Sequence, residues 1–245
     1  MKTIGAAALF SVFVIAGCGA PDGVVARGAQ ALPVIGAAIS SDAGRLLGRV
    51  TPSRPASYSS QPPRSTTGGR ASGNLCGTRG IEGTSIAPIT SEIAGCGVAQ
   101  PVRVTHVDGV KLSQSAIMDC ETARALHKWV RSAAKPAIGR RGGGIAKLHV
   151  PAHYACRPMN HRPGAPISEH GRGRAIDISG LTLADGQRIS VLNDWRGSRH
   201  SSALRQMHRA ACGTFTTTLG PGSDGMHEDH FHYDLARRNS GPICR

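Results

Sequence analysis

This sequence is short of acidic residues, of aromatic rings and of long apolar runs, and each shortage excludes something. Only 15 Asp and Glu stand against 29 Lys and Arg, so the formal charge is +14. That balance suits polyanions such as nucleic acid, anionic lipid or an acidic wall polymer. Aromatic residues make up only 4% of the chain, too few for a base-stacking platform, and no recognised DNA- or RNA-binding pattern occurs. Nucleic acid is therefore not the expected partner. The apolar run from Ile4 to Ala16 is too short to span a bilayer as a helix. No Cys-x-x-Cys spacing supports a thiolate metal site, and no Gly-x-Ser-x-Gly elbow surrounds Ser168 to make it a hydrolase nucleophile. No internal repeat is visible.

What is present begins with an address. Met1-Lys2-Thr3 gives a short positive start, and the apolar run that follows suits a signal-peptide core. It ends in Ile15-Ala16-Gly17-Cys18, which resembles the bacterial lipoprotein cleavage box. Residues 1–17 are thus expected to be a lipoprotein signal peptide, and Cys18 the lipidated first residue of the mature, membrane-anchored chain. Cleavage there removes one basic residue, Lys2, and leaves a charge of +13. Gly19 after Cys18 lacks the aspartate that commonly signals inner-membrane retention, so a periplasmic protein held at an outer membrane is the expectation. The cysteines agree with export. Of 7 in the chain, setting Cys18 aside leaves Cys76, Cys96, Cys120, Cys156, Cys212 and Cys244, an even set that can form disulfides in an oxidising compartment. Cys76 with Cys96, and Cys212 with Cys244, are the expected pairs.

Residues 18–74 are rich in Ala, Gly, Ser, Pro and Arg, and Arg49 to Gly73 has almost no large apolar residue. Such a stretch cannot bury enough surface to offset its ordering entropy and is expected to be a disordered tether. Its root-mean-square span would be roughly 40 Å. Within it, Ala31 to Leu47 offers at most a short helix. The folded domain is expected over 75–245, long enough for a proper core.

Inside that domain, Asp119 reads as the N-cap of a helix from Cys120 to about Ala134, with Ala123, Leu126, Trp129, Val130 and Ala133 on one face. Pro136 and Gly139 are expected to end it. Ile145 to Val150 alternates as a strand. Arg174 to Ser179 and Arg188 to Leu192, joined through Ala184-Asp185-Gly186, read as a hairpin. His200 to Cys212 suits a second helix and His230 to Leu235 a closing strand. Without a repeated βαβ rhythm, the fold class is α+β, with a small antiparallel sheet and flanking helices.

Two stretches carry chemistry. In Ser168-Glu169-His170-Gly171-Arg172-Gly173-Arg174-Ala175-Ile176-Asp177, the glycines argue against a helix; His170 belongs to a loop that feeds a strand. Asp177, between Ile176 and Ile178, needs a cation if it points inward; zinc, Arg172 and Arg174 are the alternatives. In Met226-His227-Glu228-Asp229-His230-Phe231-His232-Tyr233-Asp234, strand periodicity puts His230 and His232 on one face and Phe231 and Tyr233 on the other. A catalytic Zn²⁺ takes three N or O ligands and keeps one position open. His170, Asp177 and His232 can supply the three, leaving His227, Asp229 and His230 for proton transfer. The remaining histidines (His106, His127, His149, His153, His161, His200, His208) read as structural or exposed.

The motifs Tyr154-Ala155-Cys156-Arg157-Pro158-Met159-Asn160, Ser168-Glu169-His170, Ala175-Ile176-Asp177-Ile178 and His230-Phe231-His232-Tyr233-Asp234 resemble the bacterial extensin-like C-terminal domain. Ser168-x-His170-x-x-Gly173-x-Ala175-x-Asp177 joined to His230-x-His232 also resembles the metallopeptidases that cut peptidoglycan peptides, namely the lysostaphin-type and D-Ala-D-Ala peptidase relatives, including the penicillin-insensitive murein endopeptidases. The resemblance spans roughly Cys76 to Cys244 and implies a Hedgehog/D-Ala-D-Ala peptidase-like fold. It implies zinc on His170, Asp177 and His232, with His230 near an attacking water. It makes His227 an additional active-site histidine, and Asp229 the counterpart of a glutamate base one methylene longer. Arg157 then falls near an arginine that stabilises the reacting carbonyl, and Ser168 near a substrate-contacting serine. The function so implied is hydrolysis of amide bonds in peptidoglycan peptides; a catalytically silent wall-binding or structural envelope lipoprotein is the alternative.

Overall fold

Three strands of alternating apolar residues start the domain. β1 (Ile81–Ser85), β2 (Pro101–Val107) and β3 (Val110–Asp119) form an antiparallel meander. Val102, Val104, Val107, Val110, Leu112, Ala116 and Met118 are all buried by its inner face. Asp108 and Gly109, which join β2 to β3, both have positive φ, the backbone that tight hairpin turns require. This structure is a computed structural model and describes residues 73–245. The signal peptide, Cys18, the Ala31–Leu47 patch and all but the end of the tether lie outside the described residues.

β4 (Ile145–His149) adds to the meander parallel to β3. β5 (Ala175–Ile178) belongs elsewhere, while β6 (Gly180–Leu183) and β7 (Arg188–Ser190) complete a six-stranded sheet in the order β1-β2-β3-β4-β6-β7. A second sheet takes β8 (Thr217–Leu219), β9 (Phe231–Asp234) and β10 (Ile243–Cys244) in the order β10-β8-β9-β5. Its pairs are antiparallel except β10 with β8. The class is α+β, built on two sheets where the sequence reading had one.

Helices close the core. α1 (Cys120–Trp129) is capped by Asp119, whose side chain accepts from the Thr122 amide at 2.7 Å. It continues into a π-helical turn, Val130–Ala134, and then α2 (Lys135–Ile138). Pro136 therefore lies inside the helical run and does not end it. A proline lacks the N–H for the preceding turn and crowds that turn's carbonyl; the widened π turn just ahead of it relieves both conflicts. The stop comes at Gly139, with φ 61°. Two short helices follow, α3 (Val191–Asp194) and α4 (Ser201–Arg209). Trp129 ties α1 to both neighbours: its indole N–H donates to the Met207 carbonyl at 2.9 Å, and its ring meets Tyr233 edge-on at 5.3 Å. The core-facing side of β9 is thus packed on the helical layer, leaving its other face for polar residues.

The hairpin expectation needs correction. Arg188 pairs with Thr182, not with the 174–179 segment, so the Asp185-Gly186 turn joins β6 to β7. The 175–178 segment pairs instead with β9 in the second sheet. One disulfide expectation also fails. Cys76 bonds Cys120, and Cys96 bonds Cys156, whereas Cys212–Cys244 is as expected. Sequence proximity favoured Cys76 with Cys96, but the β1–β2 excursion carries Cys96 away to the side of the molecule where residues 150–172 lie.

The Cys96–Cys156 link spans 60 residues and joins two loops without regular structure of their own. Replacing both cysteines by alanine should lower unfolding stability by about 2–4 kcal/mol, read as an earlier midpoint in guanidinium unfolding.

Candidate metal centre

The centre is assembled from one short turn and two paired strands. The turn, Glu169–Arg172, is framed by Ser168, whose hydroxyl accepts from the His170 amide at 3.4 Å, and by Gly173 in the left-handed region at φ 68°. Gly171 has no room for a side chain: a Cβ there would lie 2.7 Å from Ile167 and 3.2 Å from the sulfur of Cys96. The Cys96–Cys156 disulfide therefore abuts the turn that carries His170. The Gly97 amide adds a hydrogen bond to the Gly171 carbonyl at 2.8 Å.

β5 and β9 supply the rest by register. Asp177 stands directly opposite His232, and Ala175 opposite Asp234. Period-2 alternation turns Ile176, Ile178, Phe231 and Tyr233 into the core and the polar set to the other face. His170 arrives over that face from the turn. The three ligand atoms, His170 Nε2, His232 Nδ1 and Asp177 Oδ1, form a triangle with edges of 3.2, 3.2 and 2.9 Å. All three residues are buried.

The set fits zinc on two counts. Ligand atoms of a tetrahedral zinc site are about 3.3 Å apart, as bonds of about 2.0–2.1 Å require; the observed edges are close to that. The hydrogen bonds on the far sides of the rings also choose the tautomers. His170 Nδ1 donates to the His153 carbonyl at 2.7 Å, and His232 Nε2 donates to Asp234 Oδ2 at 3.0 Å. Both remaining nitrogens then face the same carboxylate oxygen, and would offer lone pairs to a cation that displaced the proton between them and Asp177. Such outer partners are what metal-ligating imidazoles use to fix orientation and basicity. Arginine is not the partner of Asp177: Arg172 sits 3.6 Å from Glu169, and Arg174 lies 3.9 Å from each of Asp119, Glu121 and Glu169.

The electrostatics say the same. Burial alone would raise Asp177, but hydrogen bonds from His170 and His232 hold it far below the usual carboxylate range. Burial alone would lower His232, yet Asp177 and Asp234 on either side push it up to about 9. Asp234 is held below the ordinary value by His232 despite burial that acts to raise it.

A cleft of about 540 Å³ opens onto the triad. The other residues expected from sequence fall as follows. His230 lines it, with Nε2 3.7 Å from Asp177 Oδ2 and Nδ1 2.7 Å from Asp229 Oδ1. Asp229 is exposed and stands behind His230, outside the lining of the cleft. His227 is buried against the group, its ring 5.1 Å from that of His230 and 5.4 Å from that of His232. Burial pushes His227 below the ordinary histidine value, against the opposing pull of Asp224 at 2.7 Å. Arg157 and Ser168 both line the cleft, Ser168 buried as the cap of the His170 turn. Sequence reasoning gave no role to Asp224 or Asp234. Asp234 carried a signal, lying two residues beyond His232 on the same strand face; Asp224, in an irregular loop, carried none.

Because His232 is raised, the sign of its pH linkage is fixed. The stability it contributes to the metal-free protein is complete below about 6.5 and is lost as pH rises through about 9. Zinc must displace that proton, so its affinity should climb about tenfold per pH unit from neutrality towards 9 and level off beyond. Chelator competition across that range measures it, and a flat profile would show that no proton leaves.

The family described as extensin-like protein C-terminus matches residues 75–245. No curated protein and no solved structure matches significantly. With well over half its length matched, and the quoted motifs lying within that span, the chain belongs to the extensin-like C-terminal family.

Proposed function

We propose that this is an exported, zinc-dependent peptidase-like protein that hydrolyses amide bonds in peptidoglycan peptides. One observation carries the proposal: two imidazole nitrogens and a carboxylate oxygen, from residues 55 and 62 positions apart, converge within 3.2 Å beneath an open cleft. Zinc bound there would supply a Lewis acid and bring the pKa of bound water towards 7.

The chain's own groups would do the rest. With Nδ1 committed to Asp229, His230 keeps Nε2 free over the ligand triangle, where it can accept a proton from water. Asp229 acts by orienting that ring; its carboxylate is too far out to be the base itself. His227, held by Asp224, offers a second imidazole at the same mouth to protonate a leaving amine. Arg157 lines the cleft and can donate to the oxygen on which negative charge develops. Ser168 serves chiefly through His170, whose amide it caps. The signal-like start and Cys18 favour a lipid-anchored protein of the periplasm, and the basic charge suits an anionic envelope. In that setting the substrate is the peptide portion of the wall.

Purified sacculi digested with the zinc-loaded protein, and resolved by mass spectrometry, should release peptide-cleaved fragments. His230→Ala should cut the rate about 100-fold or more while keeping the metal. Asp229→Asn should cost about tenfold. His170→Ala, Asp177→Ala and His232→Ala should each lose zinc by elemental analysis. Sacculi retained by the protein but left chemically unchanged would establish the wall-binding alternative.

A further inference from the structure

The cleft contains charges that the proposed chemistry does not use. Each of its carboxylates is engaged: Asp177 and Asp234 with histidines of the triad, Asp224 with His227, and Glu169 with Arg172 and Arg174. Of its arginines, Arg172 is paired with Glu169, and the other three are not paired. Among the described residues, Arg157, Arg237 and Arg238 have no carboxylate within ion-pair distance, although all three line the cleft. Arg157 already has a task at the reacting carbonyl. Arg237 and Arg238 lie on the tail that follows β9 and have none.

Arg238 is also aimed. Its Nε and Nη2 both donate to the Thr217 hydroxyl, at 3.3 and 3.1 Å. Thr217 stands opposite Asp234 across β8 and β9, and Asp234 is the carboxylate that holds His232. A neutral hydroxyl leaves the guanidinium's charge uncompensated and its remaining N–H groups available. Glu169 is near enough to feel that charge, but its own ion pairs are with Arg172 and Arg174. With its Nε–Nη2 edge held by Thr217, this exposed arginine keeps its Nη1–Nη2 edge for the fork geometry that planar carboxylates take up.

We infer that Arg238, with Arg237 beside it, forms a subsite for a carboxylate of the peptide substrate, so that the cleft selects acidic over neutral peptides. This rests on reading the cleft as a peptide-hydrolysing site. The carboxylate can be the peptide's own terminus or an acidic side chain, and the two sources are separable. Arg238 is thereby a specificity residue, held by a threonine whose cross-strand partner, Asp234, orients His232.

The test is equilibrium binding to the metal-free full chain, where no ion can capture the carboxylate and no turnover is needed. Three peptides ending in D-Ala-D-Ala serve as probes: the free acid, the C-terminal amide, and the amide carrying an acidic residue next to the terminal pair. The free acid or the side-chain acid should bind about tenfold tighter than the neutral amide, and whichever gains identifies the source. Arg238→Gln should erase that gain without weakening the neutral peptide, and Arg238→Lys should restore part of it. Thermal unfolding of both variants should match the parent, since the side chain is exposed. Equal binding of all three peptides to the parent chain, or an undiminished preference in Arg238→Gln, overturns the inference. A preference that follows Arg238 in a protein that cleaves nothing would retain the subsite and remove the hydrolytic reading.

Discussion

A carboxylate buried in the middle of a strand is the constraint on which this molecule turns. Asp177 lies between two core isoleucines, and leaving its charge unmatched there would cost several kcal/mol. Two answers exist within the same site. In the metal-free protein a proton shared with His232 supplies the positive charge; under the proposed function, a zinc ion would take its place. Both use the same three atoms and the same outer hydrogen bonds, so the polypeptide need not rearrange between them. Folding alone thus brings the three atoms together, and occupation by a metal would be an exchange of one cation for another.

What holds those atoms together is the pairing of β5 with β9. Because Asp177 and His232 are directly opposed, their separation is set by the ladder and not by side-chain reach. The opposite face of the same two strands packs Ile176, Phe231 and Tyr233 against Trp129 and the helical layer. A one-residue slip would put the ligands into the core and the aromatics into the cleft. The hydrophobic side of the sheet thus specifies the register that the polar side requires.

The sequence made the ligands legible because their constraints are local and chemical. An aspartate between isoleucines and alternating histidines and aromatics are patterns that survive without knowing the fold. The helix at Cys120 was readable from its cap and apolar face, and the tail disulfide from its short span. The errors were non-local. Pairing of the 175–178 segment with β9 spans more than 50 residues, and nothing in its own composition distinguishes it from a partner of the adjacent hairpin. The Cys96–Cys156 bond depends on where the β1–β2 excursion ends, which spacing does not encode. Pro136 was misread because the π turn that accommodates it has no simple sequence signature. Asp229 was legible as a neighbour of His230, but its place behind that ring, outside the cleft lining, depends on the folded loop.

The contact of Gly171 with the sulfur of Cys96 has a consequence for when the protein becomes competent. The backbone bearing one ligand leans on a covalent bond that forms only after two thiols are oxidised. Until then the loops on either side are free to move apart, and the third corner of the triangle has no fixed address. The order of events follows from that contact: the disulfide has to close before the turn that carries His170 is held against β5 and β9.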